Sequence, residues 1–335
     1  MLQKKNLLWL LAVTVFVAFP LVETNPTYTT IGVFTLIFMG CATSWNMFSG
    51  YSGYIALGSG VWYGVGAYTM ALCSIHWHMA PGAAMFWLVP LGGLFAMLVA
   101  VPVGWVVLRV RRHTFVVITI AVFFVAQLSA INANFTGGTA GLNLPFITWG
   151  ASYYNVPFYY VALAIAIFVT VLSAVVRRTR FGLQLLAIRD DEDRALGLGV
   201  KVAAVKLTGF AMSAFTVGML GAVYAMFIGQ IYPQFVFDPL FDISIALMAF
   251  LGGLGTLVGP LLGALVLESL QQYLTVSYSN GSLYLILFGS LFLIVILFMP
   301  QGIVVAIRDR VTKRAERERD AVTTSDASLL GSVSK

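Results

Sequence analysis

The stretch that decides the fold is residues 177–206, RRTRFGLQLLAIRDDEDRALGLGVKVAAVK, a polar interruption between two long apolar runs. It holds seven of the nineteen Lys and Arg residues and four consecutive acids. A stretch this polar cannot lie in hydrocarbon, so it must lie on one side of a membrane. The apolar runs around it, at about 20 residues each, are long enough to cross a bilayer. We call residues 177–206 the polar segment.

Inside the polar segment, the sequence predicts a short helix over residues 190–200. Asp190 is suited to cap it, and the acids that follow lie where the helix dipole favours negative charge. Gly197 or Gly199 provides a stop. Apolar side chains on this charged loop favour docking on a soluble partner, and the alternative is an ordinary solvated loop. The candidate docking residues are Arg189, Asp190, Asp191, Glu192, Asp193, Arg194, Leu196, Gly197 and Leu198.

The composition excludes a soluble globular protein. Mean hydropathy is +0.92, with 60% hydrophobic and 10% charged residues. A β-barrel would show alternating rather than continuous apolar runs. Cys41 and Cys73 both lie in apolar stretches, so they are interpreted as packing residues without a disulfide framework. The N-terminal apolar run, 7–22, lacks a small-residue cleavage site and is interpreted as an uncleaved span.

The apolar runs predict an all-α, polytopic membrane protein. We place one membrane domain at 1–307 and a partly disordered tail, of mixed charge, at 308–335. The domain contains ten predicted membrane segments, at 7–22, 28–48, 57–76, 86–108, 114–133, 154–176, 207–229, 240–252, 260–276 and 282–299.

The basic residues indicate the orientation of these segments. All nineteen fall before the first segment, at 109–112, in the polar segment or after residue 307, and the other loops carry none. Positive charge marks cytoplasmic loops, so both termini and the polar segment are predicted to be cytoplasmic. The net charge of +6 therefore reflects topology and does not indicate nucleic-acid binding.

Two stretches are too rich in glycine for simple spans. They are residues 50–66, GYSGYIALGSGVWYGVG, and residues 252–263, GGLGTLVGPLLG. Paired glycines and Pro260 predict broken helices, which are tolerated only inside protein or beside a cavity. The simpler interpretation is that these glycines only permit close helix packing. Their placement predicts a repeat of segments 2–5 in 7–10, which must be inverted.

Motifs for catalysis are missing from the sequence. No Lys follows a Gly, so the chain has no P-loop, and the three histidines form no metal-binding pattern. No metal site and no enzymatic activity are predicted. Glu268, in the ninth segment, is the intramembrane acid, either functional or a buried carboxylate satisfied by hydroxyls or amides of neighbouring helices. Asp238 and Asp242 would contact an outer partner or cap the eighth segment.

Four patches carry a resemblance to a known family. They are residues 46–72, NMFSGYSGYIALGSGVWYGVGAYTMAL; residues 135–142, FTGGTAGL; residues 180–206; and residues 252–263, with Pro-Gln-Gly at 300–302. In this order the chain resembles the LivM-type permease subunits of branched-chain amino-acid ABC importers. Permeases for urea and short amides share that scaffold. The outer-loop patch supplies the candidate residues Thr136, Gly137, Gly138, Thr139 and Gly141.

The resemblance implies a cobalamin-importer-like fold in the bacterial inner membrane. It implies a second homologous permease, two cytoplasmic ATPase subunits that bind the ATP, and an extracytoplasmic substrate-binding protein; no cofactor is implied in this chain. Departures from the family pattern at 54–56, 59–60 and 140 leave the solute open between amino acids and amides. An ion-coupled secondary transporter is the further alternative. The candidate substrate path is Asn46, Gly50, Tyr51, Gly53, Tyr54, Ala56, Gly58, Gly252, Gly253 and Gly255.

Overall fold

The computed structural model describes residues 2–23, 25–145, 149–150 and 153–277, with positions 286, 289, 290 and 293. Two short strands, β1 Leu142–Asn143 and β2 Gln230–Ile231, pair antiparallel. All the longer elements within the described residues are helices, which confirms the predicted all-α class. The α-helices are α1 Leu2–Val22, α2 Pro26–Trp45, α3 Ser59–His76, α4 Val89–Val107, α5 Arg112–Asn132, α6 Asn155–Arg178, α7 Arg180–Asp190, α8 Glu192–Gly197, α9 Val202–Ile228, α10 Pro233–Val236, α11 Pro239–Gly252 and α12 Gly259–Ser277.

The helices explain how the chain crosses a membrane. Within the described residues, six stretches are long and apolar enough to do so: Pro26–Gly50, Ala83–Val107, Arg112–Asn132, Asn155–Arg178, Val202–Ile228 and Pro233–Gly252. By their length and composition they indicate a polytopic membrane protein. Predicted segments 7–22, 57–76 and 260–276 coincide with α1, α3 and α12. The tenth segment, 282–299, apart from four helical positions, and the tail lie outside the described residues.

Helix α3 lies inside the bundle, packed against α4 and α9, with most of its residues buried. Glycines make this packing close. A Cβ atom at Gly66 would collide with the carbonyl oxygen of Gly218, and one at Gly221 with that of Tyr63. Small residues let helix backbones approach in this way. For Gly66, the simpler packing interpretation of the first glycine-rich stretch therefore holds.

Both glycine-rich stretches contain a break in the helical backbone. We call residues 53–58, between α2 and α3, the first break, and residues 253–258, between α11 and α12, the second break. Gly53 and Gly255 have φ of 73° and 76°, a left-handed conformation that glycine adopts without strain. The fourteen residues of α11 span about 21 Å, less than a hydrocarbon core of about 30 Å. The prediction of broken helices is confirmed.

The bundle has two distinct ends. At the first, which we call the polar end, the α4–α5 connection contacts the polar segment: Arg111 pairs with Asp193 at 3.6 Å, and Arg112 donates to the carbonyl of Ile188 at 2.5 Å. Helix α5 leads from there to the opposite end, which contains β1 and β2 and which we call the strand end. The basic residues of 109–112 and the polar segment therefore share one end.

Candidate functional site

The polar segment folds as two helices rather than one. Helix α7 is capped by Thr179 and continues to Asp190, because Leu185 and Ile188 on its inner face are buried. Asp191 then adopts an extended backbone, and its Oδ1 accepts from the amide of Arg194 at 3.0 Å. The N-cap of α8 is therefore Asp191, and the prediction of Asp190 is wrong by one residue. Asp190 remains helical since α7 reaches it.

The tip of α8 presents apolar side chains to the outside. Leu196 is 61% exposed and Leu198 is 84% exposed. Gly197 and Gly199 have no neighbouring atom close to where a Cβ would lie, and Gly199, with φ of 84°, ends the turn as predicted. We call Leu196–Leu198 the leucine tip. Contiguous exposed apolar surface marks sites of protein interaction, and these two leucines lie two residues apart.

A buried ionic cluster fastens α8 to the bundle. Glu192 accepts a hydrogen bond from the hydroxyl of Tyr54, and Lys206 Nζ lies 2.8 Å from Glu192 Oε1. The ammonium also donates to Tyr54 Oη at 3.1 Å and lies 4.3 Å from the centre of its ring. Sequence analysis placed Tyr54 in the substrate path and did not single out Lys206. The sequence did contain a signal for Lys206, because it directly precedes the predicted segment 207–229 and few basic residues of this chain lie so close to an apolar span.

The electrostatics of this cluster favour an ionised glutamate. Partial burial opposes the charge on Glu192, but hydrogen bonds from Lys206 and Tyr54, and the positive charges of Lys206 and Arg112, outweigh it. The pKa of Glu192 therefore lies below its ordinary value of 4.5. Because Lys206 is only 4% exposed, water screens this pair poorly.

Asn46 joins the end of α2 to the second break. Its Nδ2 donates to the carbonyl oxygen of Thr256 at 2.8 Å, and its Oδ1 accepts from the amide of Gly255 at 2.7 Å. Arg189 of α7 reaches the same place and donates to the carbonyl of Gly50 at 2.8 Å. The structure thus brings Asn46, Gly50 and Gly255 of the predicted path together with Arg189 of the predicted docking residues.

The other predicted path residues pack around this point. Tyr51 bonds Ser173 across helices at 2.8 Å, and the carbonyl of Ala56 accepts from the indole of Trp45 at 2.7 Å. Gly58 lies against the backbone of Thr119, and Gly252 against that of Gly259. Gly253 caps α11. These contacts fix the residues within the helix bundle, and a role in the solute path stays a prediction.

The predicted outer-loop residues shape the strand end. Thr136 is buried, and its hydroxyl donates to the carbonyls of Ala130 and Ala133 at 2.5 and 2.7 Å. Gly137, Gly138 and Gly141 all have positive φ, and a Cβ at Gly141 would collide with the carbonyl of Ile231. Thr139 is exposed. The loop is thus a glycine-dependent turn that brings β1 onto β2.

The three acids near or within the predicted spans have different surroundings. Asp238 caps α11 through the amide of Leu240 at 2.9 Å. Asp242 is only 3% exposed and accepts from the amide of Gly60 at 3.0 Å, so it holds the start of α3, and its contact with an outer partner stays a prediction. Glu268, fully buried, accepts from Gln272 of its own helix at 2.8 Å through one oxygen, while its other oxygen has no bond within the described residues, so the predicted satisfaction by neighbouring helices is not seen there.

Together these features define a class of protein. Long apolar helices, a polar segment fastened at one end, and broken helices buried inside the bundle are those of a polytopic helical membrane transporter. A family model for the permease component of branched-chain amino acid transport systems matches residues 27–296. The chain belongs to this permease family.

Curated relatives agree with that assignment. The chain is 26% identical, over 92% of its length and 77% of theirs, to the high-affinity branched-chain amino acid transport system permease protein LivM of Escherichia coli K12 and of Salmonella typhimurium LT2. It is 25% identical, over 47% of its length and 50% of the relative, to the ribose import permease protein RbsC of Bacillus subtilis 168. No solved structure matches it.

Proposed function

We propose that this chain is the membrane-spanning permease subunit of an ATP-driven importer that moves branched-chain or related amino acids into the cytoplasm. The observation that carries the proposal is the leucine tip, whose side chains are 61% and 84% exposed, at the polar end of a permease-family chain. Burying each leucine on a partner would contribute about 1.5–3 kcal/mol. A partner ATPase is the component that this chain needs, because its sequence has no P-loop.

The proposal includes the assembly and its orientation. The chain pairs with a homologous permease, two cytoplasmic ATPase subunits bind and hydrolyse the ATP, and an extracytoplasmic binding protein delivers the solute. The chain carries no cofactor and is not an enzyme. It spans the bacterial inner membrane with ten helices in a cobalamin-importer-like fold with an inverted repeat. Both termini and the polar segment are cytoplasmic, in accordance with the distribution of basic residues.

Two other transport functions compete with this proposal. Urea or a short amide is the alternative solute, because relatives on this scaffold differ in what they carry. An ion-coupled mechanism is favoured by one observation, the buried carboxylates of Asp242 and Glu268, each with one oxygen that has no bond within the described residues. The solute retained by the co-encoded binding protein distinguishes amino acids from amides.

The test uses the complex purified with its co-encoded subunits and reconstituted in liposomes. The variant Leu196→Asp/Leu198→Asp should lose the ATPase on purification or lose solute uptake, because charge replaces the apolar contact. Leu183→Asp is the matched control, since Leu183 is 59% exposed on α7. Uptake by the wild type should require ATP and persist with a protonophore. Normal ATPase binding and uptake by the double variant would contradict the proposal.

A further inference from the structure

The strongest unassigned feature is the meeting point of both helix breaks with α7. We call it the Asn46 joint and define it as Asn46, Gly50, Gly53, Arg189, Gly255 and Thr256. Asn46 is fully buried, at the start of the π-helical turn Asn46–Gly50 that ends α2. Both of its side-chain groups bond the backbone of the second break, 209 and 210 residues away in the chain.

The bonding pattern of Asn46 admits one orientation of its amide. The Gly255 amide is a donor and needs the Asn46 oxygen; the Thr256 carbonyl is an acceptor and needs the Asn46 nitrogen. A buried carbonyl or amide that loses such a partner costs about 1–3 kcal/mol. Two hydrogen bonds therefore hold the end of α2 to the second break, and breaking either one leaves a buried polar group without a partner.

Arg189 adds the polar segment to this joint. Its guanidinium donates to the Gly50 carbonyl, and a Cβ at Gly255 would collide with the same guanidinium. Its side chain also lies against the first break, where a Cβ at Gly53 would lie 3.1 Å from Arg189 Cγ. One side chain of α7 therefore touches both breaks.

Arg189 is itself fixed within its helix. Its carbonyl accepts from the guanidinium of Arg112 at 2.6 Å, at the end of α7, and Asp191, two residues later, begins α8. Because Asp191 alone separates the two helices, a displacement of α8 that turns α7 with it would move Arg189. The Arg189 side chain contacts backbone at Gly50, Gly53 and Gly255, where no side chain can move aside. A displacement of Arg189 therefore acts on the hydrogen bonds of the joint.

We propose that the Asn46 joint makes the two helix breaks a single gate, and that Arg189 is the positioning residue through which the polar segment moves it. This inference rests on the proposed function and deepens it. Arg189 pulls on the end of α2 and the second break together, and Asn46 keeps them in step. A solute is then moved only when both breaks rearrange, which ties transport to the docked ATPase.

The principal test is Asn46→Leu in the reconstituted complex. The leucine side chain has a similar size but no polar atom, so the Gly255 amide and the Thr256 carbonyl both lose their partner and the second break is released. We expect the ATPase to co-purify as in the wild type and to hydrolyse ATP, while the solute moved per ATP falls at least tenfold. The matched control is Asn132→Leu, because the Asn132 side chain bonds the carbonyl of Leu128 in its own helix, and this variant should leave that ratio unchanged.

Two further variants complete the test. Arg189→Gln should lower the same ratio while the bonds of Asn46 remain, and Arg178→Gln, an exposed arginine at the end of α6, should not. If Asn46→Leu fails to assemble, the comparison of Arg189→Gln with Arg178→Gln decides. An unchanged solute-to-ATP ratio in Arg189→Gln, or in an assembled Asn46→Leu, overturns the joint. A wild-type complex that binds no ATPase overturns the proposed function instead.

Discussion

The two ends of the bundle are held together by different chemistry. At the polar end, long charged side chains cross between elements: Lys206 and Tyr54 hold Glu192, and Arg112 holds the end of α7. At the strand end the links are short and uncharged, namely the β1–β2 pair and the hydroxyl of Thr136. The polar end can thus follow a moving partner through a few side chains, whereas the strand end is fixed by backbone.

The same contrast appears in how each end uses glycine. At the strand end, Gly141 is required because the strands approach closely. At the polar end, Gly53 and Gly255 make room for one arginine side chain. At Gly141 the close contact is between two stretches of backbone, which makes the turn rigid. At Gly53 and Gly255 the contact is with the side chain of Arg189, so its geometry depends on the position of that arginine. We infer that the strand end is the more static of the two, and the predictions below test this comparison.

The largest expected effect is a difference in cysteine labelling between the two ends, which we expect to face opposite sides of the membrane. With Cys41 and Cys73 replaced by alanine, a cysteine at Thr139 should react with a membrane-impermeant maleimide in intact cells. A cysteine at Asp191 should react only after the cells are opened, because the basic residues place the polar end in the cytoplasm. Labelling at Asp191 in intact cells would reverse the orientation and remove the ATPase from the leucine tip.

The next effect concerns the buried ion pair at the polar end. Lys206→Ala leaves Glu192 and Tyr54 without their cation, and the Lys206 and Glu192 side chains are 4% and 29% exposed. Removing one partner of a buried pair should lower the free energy of unfolding by about 3 kcal/mol. Thermal unfolding of the detergent-purified protein measures the loss.

Arg194→Ala is the control for this loss. Its pair with Asp191 has side chains that are 86% and 41% exposed, so the change should be about 0–1 kcal/mol. Equal losses in the two variants would mean that burial does not distinguish the Lys206 pair from a surface pair. The polar end would then be held no more tightly than an ordinary loop.

Apolar length predicted most of the fold, because a membrane requires long runs whatever their partners are. For this reason the predicted segment 114–133 falls on α5, and 154–176 on α6. The N-cap was misplaced by one residue, since Asp190 and Asp191 are equally good caps in sequence, and only the packing of Ile188 decides where α7 ends.

The contacts within the candidate site were much less predictable. Asn46 and Gly255 are 209 residues apart, and Gly60 and Asp242 are 182 apart. When a side chain bonds a backbone amide, its partner cannot be recognised from the sequence, because every residue except proline has that amide. Tyr54 was assigned to a solute path on its position in a glycine-rich stretch, while its hydroxyl reaches Glu192 across the fold.

The smallest expected effect is a pH dependence confined to the polar end. The pKa of Glu192 is lowered in the folded protein, so the unfolded chain binds more protons and stability rises with pH in this range. The contribution is complete above the ordinary value of 4.5 and is lost as pH falls through the folded value. Wild type should therefore be more stable than Glu192→Gln near neutral pH, and the gap should close in acid.

Unfolding midpoints of the two proteins, measured in detergent from about pH 7 down to about pH 3, follow this gap. Asp193→Asn serves as the control, because the Asp193 side chain is 77% exposed and its pair with Arg111 is long, at 3.6 Å. Exposed pairs contribute little, so that control should differ from wild type by a small amount at every pH. A gap for Glu192→Gln that stays constant into acid would show that its hydrogen bonds matter and its charge does not. The polar end would then resemble the strand end, held by neutral contacts, and the contrast between the two ends would rest on Arg189 and Arg112 alone.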